Sequence, residues 1–313
     1  MNRHDESIFP KAFTVPNYTV EATDQGNRGT CAAFAITALL NYYARIRSQE
    51  LRFSPQYLYA RCKLEALQAY LTEMIPEDSV EQVMDAMAQL GYERSAKMLC
   101  DILSLPPDSQ EETIVWNSLK EVLVDDGLNL EQAMNCIAEY GVCLYEQWPY
   151  SLAQTDTEFQ IAPSRIDEIK TIKLSKVPFF QLYSPRNVNE YKGILCGLGG
   201  HVPMPIVIGC QIFQMTGIVS NPAACWLREP MPGDTFGGGH AMLVFGYKDT
   251  PFNQHSDGYF RVQNSTLLHA PGCKSANEIH IPYEYVEKWA MDAMTIRQKQ
   301  EKNPQEGIQI TSL

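Results

Sequence analysis

The sequence predicts an α+β protein, with helices in its first half and strands in its second. Two observations carry this. From Thr30 to Gly141 apolar residues recur at helical spacing in one segment after another. Beyond Tyr150 the apolar runs are short and richer in β-branched residues. The polar stretch Ser164 to Lys176 reads as a crossover between the two regions. At 313 residues the chain is long enough for one large domain or two lobes around a substantial core.

Taken in order, residues 1–23 form an N-terminal strap, since Pro10 and Pro16 favour extended backbone over helix. Residues 24–150 form the helical part. Its first helix runs to Arg47, with Phe34, Ala38, Leu39, Tyr42 and Ile46 on one buried face. Residues 64–125 read as an inserted helical subdomain. Leu64, Leu67, Leu71 and Met74 make one stripe, stopped by Pro76. Ser79 and Gln82 carry a capping-box pattern before Val80, Val83, Met84, Met87 and Leu90, with Gly91 as a stop. Ser109 and Glu112 repeat that pattern before Ile114, Leu119 and Val122. A further helix spans 130–140, with Ala133, Met134, Ile137 and Ala138 inward and Gly141 ending it.

Residues 151–296 form the strand-rich part. Val188 to Leu198 is a short helix closed by Gly199 and Gly200, and Pro205 to Gly209 is a buried strand. Strands at 240–247 and 258–264 complete the sheet, and Tyr283 to Met294 reads as a terminal helix. Residues 297–313 are a polar tail, expected to fray.

Chemistry concentrates at Asp24-Gln25-Gly26-Asn27-Arg28-Gly29-Thr30-Cys31. Thr30 is a fitting N-cap, which places Cys31 in the first helical turn. There the positive end of the helix dipole favours thiolate, the nucleophilic form. A cysteine at a helix start is usually only a small buried hydrophobe, so its partners decide the matter. A thiolate nucleophile needs a base, and the base needs an orienter. His240 stands at the mouth of one strand pattern and Asn264 at the end of the next, and neighbouring strands can bring them side by side. Gln25 offers an amide donor to a developing oxyanion.

These residues resemble the papain-like (C1 family) cysteine peptidases, which have Gln-Gly-x-x-Gly-x-Cys-x-x-Phe, His-Ala-x-x-x-x-Gly-Tyr and Asn-Ser in that order. Gln25, Cys31, His240 and Asn264 fall on the family's oxyanion glutamine, nucleophile, base and orienter. Two further segments match: Phe53-Ser54-Pro55-Gln56, and Asp126-Gly127-Leu128 through Gly141 to Trp148-Pro149-Tyr150. The resemblance implies a two-lobed fold, with a helical left lobe, an antiparallel β right lobe and the active-site cleft between them. It also implies that Gly127 binds substrate backbone and that Leu128 and Gly239 are substrate-binding. Gly209 would leave room for a bulky substrate side chain, in a pocket that Ala241 also lines.

The chain departs from the family in places. Arg28 stands where many members have a disulfide-bonded cysteine, Ala32 follows the nucleophile in place of Trp, and Thr266 follows Asn264-Ser265 in place of Trp. The His240–Asn264 pair is therefore either wetter than usual or covered by Leu267 and Leu268. About 23 residues precede Asp24, which leaves no space for the family's long prosegment. The insertion, rooted just before Gly127, is the expected place for gating instead, either as a lid or as a satellite on the back of its lobe.

Composition narrows the function classes. A net charge of −12 argues against nucleic acid or an anionic membrane as partner. No apolar run approaches a membrane span, and residues 1–20 lack a signal-peptide core. Nine cysteines at irregular spacing, with no Cys-x-x-Cys pair, suit a reducing compartment better than a disulfide framework. A cytoplasmic protein, or one delivered or secreted from a bacterium, fits both features. Neither His-Glu-x-x-His nor paired cysteines appear, so no metal or other cofactor is expected. His4, His201, His255, His269 and His280 have no motif around them and read as solvated or structural. The expected function is a cysteine peptidase acting on protein or peptide substrates through Cys31, His240 and Asn264. The same residues would also serve a protein glutamine deamidase or transamidase, and a papain-like binding module of weak activity is the non-enzymatic alternative.

Overall fold

The computed structural model describes residues 8–21, 23–90, 92–123, 127–152, 166, 169–174, 176–214, 227, 229–250, 257–265 and 277–300. Its contacts divide the chain into two units. One comprises the chain up to Asn27, Cys31–Phe53, and the described residues from Lys176 onward; the other comprises Arg28–Thr30 and Ser54–Ser175.

In the first unit, seven short strands pair antiparallel into one sheet: β1 (Ala12–Thr14), β2 (Phe179–Gln181), β3 (Ile206–Gln214), β4 (Thr235–Lys248), β5 (Tyr259–Gln263), β6 (Glu278–Pro282) and β7 (Ala290–Ile296). Their order is β2-β7-β3-β4-β5-β6, with β1 alongside the end of β4. β4 is central, and its residues Ala241 to Tyr247 are buried without a break, as befits a strand covered on both faces. Gly246 lets β1 approach closely, because a Cβ there would lie 2.6 Å from the Phe13 carbonyl oxygen. The next residue, Tyr247, donates its hydroxyl to the Pro10 carbonyl at 2.9 Å. Within the strap, Ala12–Thr14 run extended as β1.

Helix α1 (Cys31–Ile46) packs on β4, β3 and β7. The helical stripe expected there underestimates its burial, since every residue from Cys31 to Ala44 is buried. Alanines at 32, 33, 35, 38 and 44 keep the helix slim enough to be enclosed all round. Another helix of this unit, Val188–Leu195, is capped by the Asn187 side chain. It stops three residues earlier than its apolar pattern suggests.

The terminal helix is shorter than expected. It ends at Trp289, and the chain continues as β7. Helix-compatible Ala and Met residues adopt strand geometry here because β2 and β3 supply partners on both sides for the β7 backbone. Residues 297–300 do not fray either. Gln298 accepts from the Val202 N–H at 2.8 Å, and Gln300 donates to the Gly200 carbonyl at 2.8 Å. Residues 301–313 lie outside the described residues, as do 164, 165, 167, 168 and 175 of the crossover at 164–176.

The second unit is helical: Pro55–Met74, Glu77–Leu90, Tyr92–Ile102, Gln110–Leu123 and Leu130–Tyr140. Ser54 caps the first of these, accepting from the Tyr57 N–H at 3.0 Å while donating to the Trp148 carbonyl at 2.6 Å. The next helix starts at Glu77 rather than after Ser79. Pro76 fits just before a helix start, Glu77 and Asp78 sit in the first turn, and Ser79 is inside the helix. The second capping pattern holds, with the Glu112 N–H donating to the Ser109 hydroxyl oxygen at 3.1 Å. On the Leu130–Tyr140 helix, Leu130, Ala133, Cys136 and Ile137 are buried. Ala138, expected inward, is exposed. Gly141 ends that helix at φ 78°, a left-handed conformation that a side chain disfavours.

Candidate active site

Cys31 is the first residue of α1, so its sulfur sits at the helix start, as its sequence context suggests. Two backbone N–H groups, of Ala32 and Ala241, hydrogen-bond to it, and so does the His240 side chain. Burial pushes the thiol pKa up, but those hydrogen bonds and the His240 charge outweigh it, and the group titrates below its ordinary value.

His240 projects from β4, and Asn264 follows the last residue of β5. The His240 Nε2 lies 2.7 Å from the Asn264 Oδ1. An amide oxygen only accepts, so Nε2 carries the proton and Nδ1 is the ring nitrogen left for Cys31. Burial lowers the His240 pKa, yet the hydrogen bond and charge of Cys31, with the bond to Asn264, raise it above the ordinary imidazole value. The two shifts agree in sense, since each group stabilises the charged form of the other.

Asn264 is itself fixed. Its N–H donates to the Asn277 carbonyl at 2.7 Å, while the Asn277 side chain donates to the carbonyls of Asn264 at 2.8 Å and Thr23 at 2.6 Å. Gln25 is held through the following residue. Its N–H donates to the Ser265 carbonyl at 2.8 Å, and the Ser265 hydroxyl donates to its Oε1 at 2.5 Å. Because the acceptor end of the amide is engaged by Ser265, Nε2 is the end suited to a developing negative charge. Gln25, Cys31, His240 and Asn264 thus all belong to the first unit and are interlinked there.

The other expected residues are placed as follows. Ala241 supplies its N–H to the Cys31 sulfur and pairs across the ladder with Gly209. Gly209 does leave room, but the chain's own Asp292 carboxylate occupies it: a Cβ there would lie 1.9 Å from Asp292 Oδ1. Gly239 pairs with Gln211 near the exposed Met291. Gly127 and Leu128 belong to the second unit, where Gly127 has φ 108° and faces the Gly29 carbonyl. In that unit Arg28 donates to Gln56 Oε1 at 2.9 Å and lies 4.8 Å from the Tyr150 ring centre. The Thr30 hydroxyl is 3.0 Å from that of Tyr150. Thr266, Leu267 and Leu268 lie outside the described residues, as do His4, His255, His269, Cys225 and Cys273.

Sequence reasoning missed the roles of Ser265, Asn277 and the Ala241 N–H. Ser265 carried a signal, standing inside a matching motif; Asn277 carried none. Among the described residues no group of three or more His, Cys, Asp or Glu side chains is arranged to hold a metal ion. No described helix is long and apolar enough to cross a membrane.

No family model and no curated protein matches the sequence. Solved structures do. Xylellain, a cysteine protease from Xylella fastidiosa, aligns with a TM-score of 0.55 at 17% identity, over 94% of this chain and 87% of that one. ProCathepsin B S9 from Trypanosoma congolense aligns with a TM-score of 0.51 at 14% identity, over 94% and 80%. Such identities speak for the architecture alone, and on that ground the chain has the α+β fold of the papain-like cysteine proteases.

Proposed function

We propose that this chain is a cysteine peptidase that hydrolyses peptide bonds through an acyl-enzyme on Cys31. The observation that carries the reading is His240 held between the Cys31 thiol and the Asn264 amide oxygen, with its proton placed on Nε2. In the resting pair the thiol proton resides on His240 Nδ1. The Cys31 thiolate attacks the substrate carbonyl carbon, forming the C–S bond and pushing the carbonyl electron pair onto oxygen. Gln25 Nε2 and the Cys31 backbone N–H are the donors for that oxyanion. Each donor of this kind is worth about 2.7–4 kcal/mol.

As the tetrahedral species collapses, the C–N bond breaks and His240 Nδ1 gives its proton to the leaving amine. Water then attacks the thioester, losing a proton to the now neutral His240, and the C–S bond breaks to release the acid. Asn264 keeps the imidazole in one tautomer throughout. Protein or peptide is the substrate class, and no step calls for a cofactor.

The test is alkylation by iodoacetamide or a peptidyl epoxide, followed by mass spectrometry of the intact protein. Cys31 should react far faster than the other thiols at pH 6–7, and His240→Ala should slow it. Equal labelling of all accessible thiols would overturn the reading. Mass analysis of a treated protein substrate separates chain cleavage from glutamine deamidation.

A further inference from the structure

The first unit holds a second concave site, built from residues to which the reaction assigns no task. It is a cleft of about 190 Å³ lined by the Val188–Leu195 helix, β2, the end of β7 and the loop at 198–202. Phe180, Ile194, Leu198, Val202 and Ile296 give it apolar walls. An apolar cavity of about 150 Å³ accepts benzene, so this one has room for a single ring or a short branched chain.

Two polar side chains of the lining meet each other. Arg297 Nε donates to His201 Nε2 at 3.3 Å, and the guanidinium lies 4.9 Å from the Phe180 ring centre. These contacts hold the guanidinium in place, and among the described residues no carboxylate pairs with it. Because His201 Nε2 accepts, the neutral ring carries its proton on Nδ1. That Nδ1 is buried, and no described residue accepts from it. A buried donor left unpaired is costly, and a guanidinium fits two oxygens side by side. A carboxylate answers both donors.

Glu190 sets the other limit. It also lines the cleft, one helical turn before Ile194, and its Oε2 accepts from the Ser184 N–H at 3.3 Å. No ion pair joins it to Arg297, so the cleft keeps a cationic side and an anionic side. A second negative charge on a ligand would meet Glu190, which disfavours a dicarboxylate. The net charge of −12 opposes any anion at long range. At physiological salt that field fades over about 8 Å, and the local donors decide.

We propose that this cleft binds a small free monocarboxylic acid that carries one aromatic ring or short branched chain. Its carboxylate meets Arg297 and His201, and its apolar part packs against Phe180, Ile194 and Ile296. Few precisely placed polar groups on an apolar lining are what a small-molecule site needs for orientation. The assignment stands apart from the peptidase reading and does not depend on it.

The probe is phenylacetate, compared with 2-phenylethanol and 2-phenylethylamine as its neutral and cationic counterparts. Binding to the full chain is measured by titration calorimetry and by ligand-observed NMR. Phenylacetate should bind with a Kd of about 1 mM or tighter, and the alcohol and the amine at least about tenfold more weakly. Arg297→Gln should weaken phenylacetate by about tenfold. Arg297 is exposed, so this variant keeps its fold, which a circular dichroism melt without ligand checks. Ile194→Trp, which fills the cleft, should abolish binding. An alcohol or amine that binds as tightly as the acid overturns the proposal, as does an acid affinity unchanged by Arg297→Gln. A peptide ending in phenylalanine that binds more tightly than phenylacetate overturns the assignment to a free acid.

Discussion

The Ser265 hydroxyl donates to the Gln25 side-chain oxygen across 2.5 Å, joining two residues 240 positions apart in the chain. That bond engages the oxygen end of the amide and leaves its N–H end for the oxyanion role proposed above. Gln25→Ala should lower kcat by about 10²–10³-fold, the usual loss for one oxyanion donor. Ser265→Ala should lower it by less, about tenfold, because the amide then rotates but remains present. In both variants iodoacetamide should still label Cys31 at the wild-type rate, since the thiolate has no need of the oxyanion donor. Slower labelling in Ser265→Ala would mean that Ser265 acts through Asn264 instead.

Asn264→Ala removes the acceptor that keeps the His240 proton on Nε2. The imidazole then samples other orientations and both tautomers, and only a fraction of encounters are productive. Turnover should fall by at least about tenfold yet stay well above that of Cys31→Ala, as single-turnover acylation would record. Loss as complete as in Cys31→Ala would show that orientation, not nucleophilicity, limits the reaction.

The pH profile follows from the opposed shifts at the pair. Cys31 loses its proton below the ordinary thiol value, and His240 keeps its proton above the ordinary imidazole value. Both shifts favour the thiolate–imidazolium pair over the neutral pair, and kcat/KM should be bell-shaped. The acid limb rises as Cys31 ionises, and the alkaline limb falls as His240 deprotonates. In His240→Ala, burial of Cys31 is no longer offset by that side chain, so the pH at which iodoacetamide labelling rises should move upward. An unmoved labelling profile would refute the mutual stabilisation.

Away from the site, Glu278 accepts from Arg261 Nε at 2.7 Å and lies 3.6 Å from His280 Nε2. The His280 hydrogen bond first, and then Arg261, hold its carboxyl down to about 2. A carboxyl depressed in the folded state stabilises above its unfolded value, about 4.3, and that stability is lost as the pH falls towards the folded value. The group is partly exposed, so the effect is about 1 kcal/mol or less. Glu278→Gln should lower Tm by about 2 °C or less at pH 7, with the gap closing as the pH approaches 2. Thermal melts followed by circular dichroism at several pH values would record this; a gap independent of pH would point to packing alone.

The places of the residues proposed for catalysis could be read because each stands in a local pattern that states its own geometry: a helix start for Cys31, a strand mouth for His240, a strand end for Asn264. What was not legible depended on partners far along the chain. β7 reads as helix from its alanines and methionines, and only the open edges of β2 and β3 make it a strand. Ser79 looks like a cap, but Pro76 and two acidic residues fix the start earlier. The carboxylate over Gly209 could not be anticipated either, because it depends on a strand pairing 83 residues away that the sequence hides behind that false helix.

The two irregularities in the β4 ladder have a consequence for how the sequence can change length. One register shift lies against β3 between Ile212 and Phe213, the other against β5 between Val244 and Gly246. His240 and Ala241 sit between them, pinned from both sides. A residue inserted or removed within that interval has no slack to take it up, and it turns the imidazole to the opposite face of the sheet. Beyond the interval, a bulge can absorb the same change by shifting its own position. Gaps of one residue should therefore be silent at the ends of β4 and abolish chemistry at its middle, with nothing in between.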